Sequence, residues 1–200
     1  MHKLKLYLIL IVGLLGIVIG AVPADACKRP PLIAPSHTQL NGKRVVDWTK
    51  PTGKKYIDLT NVPATELKIV VDQKKQIINV YQKNKLIEQF LCSTGKDTKT
   101  TRTPVGKFAI QPEHGTWFYN NKPGIDEGAR NFISFKGNGV YLFHSVVMNP
   151  QNQPIMSRQG NLGKLNSHGC IQMSLPDNIY FYKTFSQKNK IGTPVIIKPL

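Results

Sequence analysis

The sequence predicts a mainly β domain, a sandwich or closed sheet with one late helix. Short runs rich in Val, Ile, Tyr and Phe recur from residue 66 onward, each bounded by Gly, Pro, Asn or lysine-rich turns. Only one stretch combines helical spacing with a start signal. No repeat or low-complexity segment interrupts the chain, so one core has to be assembled from these short pieces.

The elements follow in order. Residues 67–72, LKIVVD, read as a strand, and Gln73-Lys74-Lys75 as the turn that ends it. Residues 76–82 form the next strand, Asn84 marks another turn, and 85–92 alternate as a third. Counting by two puts Cys92 on the face of Phe90, as a buried and inert thiol. Thr103-Pro104-Val105-Gly106 punctuates before a strand at 107–111, and two more are expected at 131–135 and 140–145. Ser174 is a candidate N-cap, Pro176 suits a first helical turn, and Asp177 completes a capping box. The helix brings Ile179, Phe181, Tyr182 and Phe185 to near-helical spacing, Gly192 closes the segment, and residues 194–197 make a last strand.

The N-terminal part differs in texture. A short basic start (Lys3, Lys5) precedes an uncharged apolar run over residues 6–22, and Ala24-Asp25-Ala26 has the small-x-small pattern of a signal-peptidase site. Residues 1–26 are expected to be a signal peptide or a membrane anchor, with lipid modification at Cys27 as a third reading; each exports the rest. Residues 27–65 carry Pro30, Pro31, Pro35, Pro51 and Pro63 among scattered apolar residues. They are expected to be a tether or loosely docked arm without its own core.

Lysine and arginine total 27 against 11 acidic residues, a formal charge of +16. Such a field favours polyanions: nucleic acid, an anionic membrane surface or acidic wall polymers. Loss of residues 1–26 removes two lysines and one aspartate, 25 − 10 = +15, so the charge belongs to the exported part. Export makes nucleic acid an unsuitable partner and anionic cell-wall polymers a suitable one. Three cysteines, an odd and low number, do not describe a disulfide framework.

Chemistry concentrates in Asn166-Ser167-His168-Gly169-Cys170-Ile171-Gln172-Met173. A cysteine beside an imidazole and near a helix N-terminus is biased toward thiolate. Gly169 permits a backbone conformation barred to other residues, and successive amides in such a turn suit an oxyanion hole. His144 ends the Tyr141-Leu142-Phe143 strand, where a catalytic base and a buried structural histidine are both open readings. Zinc is a further one, since His144, His168 and Cys170 are all metal-capable, but no CxxC or HxxxH pairing supplies four ligands. Neither metal nor cofactor is expected.

Ser167-His168-Gly169-Cys170 with Ile171-Gln172-Met173 resembles the signature of L,D-transpeptidase (YkuD-type) catalytic domains. Ser93-Thr94-Gly95 followed by Thr103-Pro104-Val105-Gly106-Lys107-Phe108 resembles that family's STG…TPxGxF segment. Gly115-Thr116-Trp117-Phe118-Tyr119 and Tyr141-Leu142-Phe143-His144-Ser145 resemble its later segments. Together they span about residues 66–198. The resemblance implies a β-sandwich-like fold, peptidoglycan stem peptides as substrate and Cys170 as nucleophile. It implies His144 as proton acceptor and donor, held by the Ser145 carbonyl, and His168 as a shaping or substrate-binding residue. Gly169 and Cys170 would supply oxyanion N–H groups. Ser167 and Gln172 fall to substrate binding, while Trp117 and Tyr119 suit either a cleft wall or the core. Two departures stand out: 22 residues separate His144 from Ser167, an enlarged loop, and Gln172 occupies a position usually held by Arg or Asn. The rival readings are a carboxypeptidase or endopeptidase of the same site and an inactive wall-binding module.

Overall fold

The computed structural model describes residues 33–200. The expectations for residues 1–26 and Cys27 lie outside the described residues. Eleven strands are present among those described, in chain order. They are β1 (His37–Leu40), β2 (Lys43–Val46), β3 (Leu67–Asp72), β4 (Ile77–Gln82), β5 (Lys85–Ser93) and β6 (Gly106–Ala109). There follow β7 (His114–Asn120), β8 (Glu127–Lys136), β9 (Tyr141–Ser145), β10 (Ile171–Met173) and β11 (Pro194–Lys198). The helices are α1 (Met156–Gln159) and α2 (Leu175–Phe185).

β1 and β2 form a hairpin; the other strands make one nine-stranded sheet, β6-β11-β3-β4-β5-β10-β9-β8-β7. The sheet curls until its two halves face each other. Gln111, just past edge strand β6, donates to the Ser134 carbonyl of β8 (2.8 Å), and Phe108 of β6 lies 5.9 Å from Phe135 of β8. The enclosed space holds Ile69, Val71, Ile78, Phe90 and Cys92 from one half and Ile133, Phe135 and Phe143 from the other. Phe181 and Phe185 of α2 complete this core. The alternation in 67–72, 77–82 and 85–93 thus marks real inward faces, and the mainly β expectation holds.

Three differences from expectation have physical causes. β10 is a three-residue strand between the nucleophile loop and α2, pairing parallel with β9 and antiparallel with β5. Three residues are too few to show a period. Second, Ser174 does cap α2, its Oγ accepting from Asp177 N–H at 3.3 Å, but the Asp177 carboxylate does not close the capping box. It turns to the N-terminal segment, accepting from Thr52 N–H (3.0 Å), Thr52 Oγ1 (2.5 Å), Gly53 N–H (3.3 Å) and Tyr56 O–H (2.6 Å).

Third, that segment is therefore no loose tether over the described residues 33–65. Glu88 accepts from Tyr56 N–H (2.6 Å), the Tyr56 ring stacks on Tyr180 at 4.8 Å, and Leu175 N–H donates to the Trp48 carbonyl (2.9 Å). Burial and the Asp177 carboxylate raise the Tyr56 hydroxyl pKa far above its ordinary value. The segment is a strap in which the backbone N–H groups of Thr52, Gly53, Lys55 and Tyr56 are met by the Asp177 and Glu88 carboxylates.

Candidate active site

The site sits on the half of the sheet formed by β10, β9, β8 and β7. A cavity of about 570 Å³ opens there, and its wall includes Cys170, His168, Ser167, His144 and Gln172. These residues come from two adjacent strands and the loop before one of them. Parallel pairing sets Ile171 level with Phe143 and Gln172 level with His144, so Cys170 and His144 come to the same wall.

The nucleophile loop is pinned from several sides. Ser167 N–H donates to the Thr94 carbonyl (3.1 Å), and Lys96 N–H donates back to the Ser167 carbonyl (3.1 Å). Thr103 Oγ1 receives Gly95 N–H (2.8 Å) and donates to the Gly169 carbonyl (3.0 Å). This is the physical content of the STG and TP segments: they clamp the loop. A Cβ on Gly95 would lie 2.0 Å from the Thr101 carbonyl oxygen. Gly169 sits at φ +119°, with the Tyr141 ring 2.9 Å from where a Cβ would be, so glycine is required on both counts.

Ser167 has a clearer role in the loop than in substrate binding. Its Oγ accepts from Gly169 N–H (3.0 Å) and donates to the Cys170 carbonyl (2.5 Å). The Gly169 amide, expected in an oxyanion hole, is thereby occupied. Of the expected Gly169 and Cys170 pair, the Cys170 N–H is left as the candidate to meet an oxyanion.

His144 is buried, and its Nδ1 donates to the Ser145 carbonyl at 2.6 Å. That bond fixes the neutral tautomer in which Nε2 is an acceptor. The Phe118 ring meets the imidazole edge-on at 5.5 Å. Burial pulls the His144 pKa down to about 4, against the upward pull of the Ser145 bond. Ser145 is held in turn, its Oγ accepting from Arg130 N–H (2.9 Å) and donating to the Val146 carbonyl (2.7 Å).

Cys170 is partly buried, and its thiol points to the Val140 carbonyl at 3.7 Å. Burial pushes its pKa up to about 11, the Leu142 amide pulls it down somewhat, and the Glu127 charge adds to the rise. The expected helix-dipole activation is corrected here. β10 stands between Cys170 and the Ser174 cap, an extended span of roughly 13 Å, whereas a helix terminus acts only over about one turn. Both shifts favour the uncharged forms, a thiol at Cys170 and a neutral imidazole at His144.

Trp117 and Tyr119 do not line the cavity. They stack on each other at 6.4 Å on the opposite face of β7, Tyr119 O–H bonding Asp126 (2.8 Å) and Trp117 joining a second core with Met148 and Leu162. Their neighbours Phe118 and Asn120 face the cavity instead. Gln172 is buried, its Oε1 accepting from Asn166 Nδ2 (3.1 Å), and Asn166 Oδ1 accepts in turn from Asn161 Nδ2 (3.0 Å). His168 Nδ1 lies 3.4 Å from Glu127 Oε1. Glu127 and Glu113, both in the wall, were not singled out in the sequence. The long segment after His144 is ordered structure: Met148 bridges Gly128 and Pro154, Arg130 holds Asn152, and Arg158 of α1 reaches Glu127 at 3.5 Å.

Residues 66–197 match the family model of the YkuD L,D-transpeptidase catalytic domain. The chain belongs to the L,D-transpeptidase family. It is 32% identical over 196 residues to the Bacillus subtilis (strain 168) protein named Putative L,D-transpeptidase YciB, covering 94% of this chain and 98% of that one. Among solved structures it resembles an L,D-transpeptidase from Mycobacterium tuberculosis H37Rv (TM-score 0.51, 19% identity, 67% of this chain and 58% of that one). One from Mycobacterium smegmatis is similar (TM-score 0.50, 20% identity, 67% and 59%). At these identities the likeness is one of fold, and the chain spans less than three fifths of each solved chain's length. Membership in this family makes peptidoglycan the substrate class and transpeptidation the general activity.

Proposed function

We propose that the protein joins peptidoglycan stem peptides through a thioester on Cys170, releasing the terminal D-alanine of the donor stem. The observation that carries this reading is the cavity shared by Cys170 and His144, with His144 Nδ1 committed to the Ser145 carbonyl. The thiol turns from Val140 toward His144 Nε2, which takes its proton as Sγ attacks the carbonyl before D-alanine. The Cys170 N–H meets the oxyanion. Collapse breaks the C–N bond, Nε2 returns the proton to the departing amine, and the acyl group stays on sulfur. An amine of a second stem then attacks the thioester, His144 accepts its proton, and the C–S bond breaks to restore the thiol. Because both resting groups are neutral, proton transfer accompanies attack and does not precede it.

His168 stands in the wall as a residue that shapes the loop. Gln172 offers its amide to the substrate, where an arginine would offer a charge. Export rests on the leader-like residues 1–26 and on the +16 charge, which suits anionic wall polymers outside the plasma membrane. The membrane enters only through that leader, if uncleaved or lipidated. Retention on isolated walls is expected to weaken with salt, and retention that ignores salt contradicts this part.

The test is incubation of the 27–200 chain with a purified disaccharide tetrapeptide, beside Cys170→Ala. A cross-linked dimer lacking one D-alanine, formed only with Cys170 present, is the expected product. A donor shortened by one alanine without dimer would make the protein a carboxypeptidase. Neither product, from folded protein, would leave a wall-binding module.

A further inference from the structure

The cavity reverses the charge of the molecule that contains it. In a chain with 27 basic and 11 acidic residues, the described wall holds Glu113 and Glu127 and no lysine or arginine. Glu127 is only 9% exposed, at the start of β8 and opposite Asn120. Its Oε1 faces His168 Nδ1 at 3.4 Å, and its Oε2 has Arg158 at 3.5 Å but no hydrogen bond. Glu113 Oε2 is likewise buried without a hydrogen bond. An ionised carboxylate accepts about four hydrogen bonds, so Glu127 retains most of its capacity in a place where unmet capacity is costly.

We propose that Glu127 is the recognition group for the acceptor amine, drawing the ammonium form of the second stem into the cavity beside the Cys170 thioester. The inference rests on the acyl-transfer reading above. A primary ammonium is the one cationic group that the transfer step needs and that hydrolysis does not. Its charge is opposite to that of this wall, and its N–H donors suit a carboxylate that His168 and Arg158 meet only at 3.4 and 3.5 Å. The ammonium gives one proton to solvent, and the neutral amine attacks the thioester carbonyl. As the C–N bond forms and the C–S bond breaks, the second proton passes through His144 to the sulfur. Arg158 competes for the same carboxylate, so the segment between β9 and β10 sets how strongly Glu127 draws the amine.

The experiment separates acylation from its resolution. Wild-type protein, Glu127→Gln and Arg158→Gln are loaded with donor tetrapeptide, and the thioester is partitioned between an acceptor stem and water. Glu127→Gln is expected to lower the ratio of dimer to hydrolysed donor by about tenfold through a higher acceptor KM, the worth of roughly one charge-assisted hydrogen bond. Arg158→Gln is expected to raise the ratio. An unchanged ratio in Glu127→Gln that acylates at the wild-type rate overturns the proposal. If Glu127→Gln does not acylate, Arg158→Gln decides: a raised ratio supports the proposal, and an unchanged or lowered one overturns it. Failure of the wild type to acylate sinks the acyl-transfer reading itself, a distinct result.

Discussion

Two buried carboxylates in this protein meet opposite fates. Asp177, at the seam between the N-terminal strap and α2, accepts from Thr52, Gly53 and Tyr56, at distances between 2.5 and 3.3 Å. Glu127, in the cavity wall, has only long contacts at 3.4 and 3.5 Å. The first is a finished structural joint, in which backbone N–H groups of the strap exchange water for a carboxylate. The second is held but unfilled, as a group kept for a ligand would be. Substitutions at the seam should act on stability, and those in the cavity on chemistry.

The largest expected effect is in the cavity. His144→Ala should slow acylation by about 10²–10⁴-fold, the usual range for a lost general base, while the protein still unfolds cooperatively. Rapid-quench measurement of the Cys170 adduct checks this, and a loss under tenfold would remove His144 from the role of base. Next comes the seam. Asp177→Ala leaves buried donors of Thr52, Gly53 and Tyr56 unmet and should cost about 3–5 kcal/mol of unfolding free energy. Denaturant titration reads it, and a cost below 1 kcal/mol would mean the strap is not joined there.

A third prediction uses pH. The His144 pKa is depressed to about 4 by burial, against an ordinary value of 6.5. The unfolded chain therefore binds the extra proton first. The stability due to neutral His144 is whole above pH 6.5 and is lost as pH falls to about 4, to an extent of about 3 kcal/mol. Comparing the wild type with His144→Ala between pH 7 and 4 isolates that slope; parallel curves would contradict the burial account. The smallest effect is Tyr56→Phe, which removes one bond of the seam and keeps its ring stack. About 1–2 kcal/mol of stability should go, with the acylation rate unchanged.

The sequence made one half of the molecule more legible than the other. β3, β4 and β5 were legible because apolar residues of each, such as Leu67, Ile69 and Val71 of β3 and Ile78 and Val80 of β4, enter the core, and the α2 cap could be read from Ser174 and Pro176. β10 escaped because its three residues are positioned by two neighbours and not by their own pattern. The residues alone left His144 open between a base and a structural histidine; its pairing with Cys170 and the Ser145 carbonyl against its ring came through the family resemblance. Trp117 and Tyr119 were attractive as cleft aromatics, but side chains alternate along a strand, and it is Phe118 and Asn120 that face the cavity. Glu127 was not singled out in the sequence; the ladder that sets it opposite Asn120 brings it inside. Asp177 looked like a local cap, because nothing local reveals a partner more than a hundred residues away.

The most direct test of the acyl-transfer account is intact-protein mass spectrometry after brief mixing with donor tetrapeptide, followed by peptide mapping. A mass increase equal to the donor minus D-alanine is expected, located on Cys170, released by hydroxylamine and absent from Cys170→Ala. Folded protein that turns over donor with no such adduct, or that carries it at Cys92 or another residue, would contradict it.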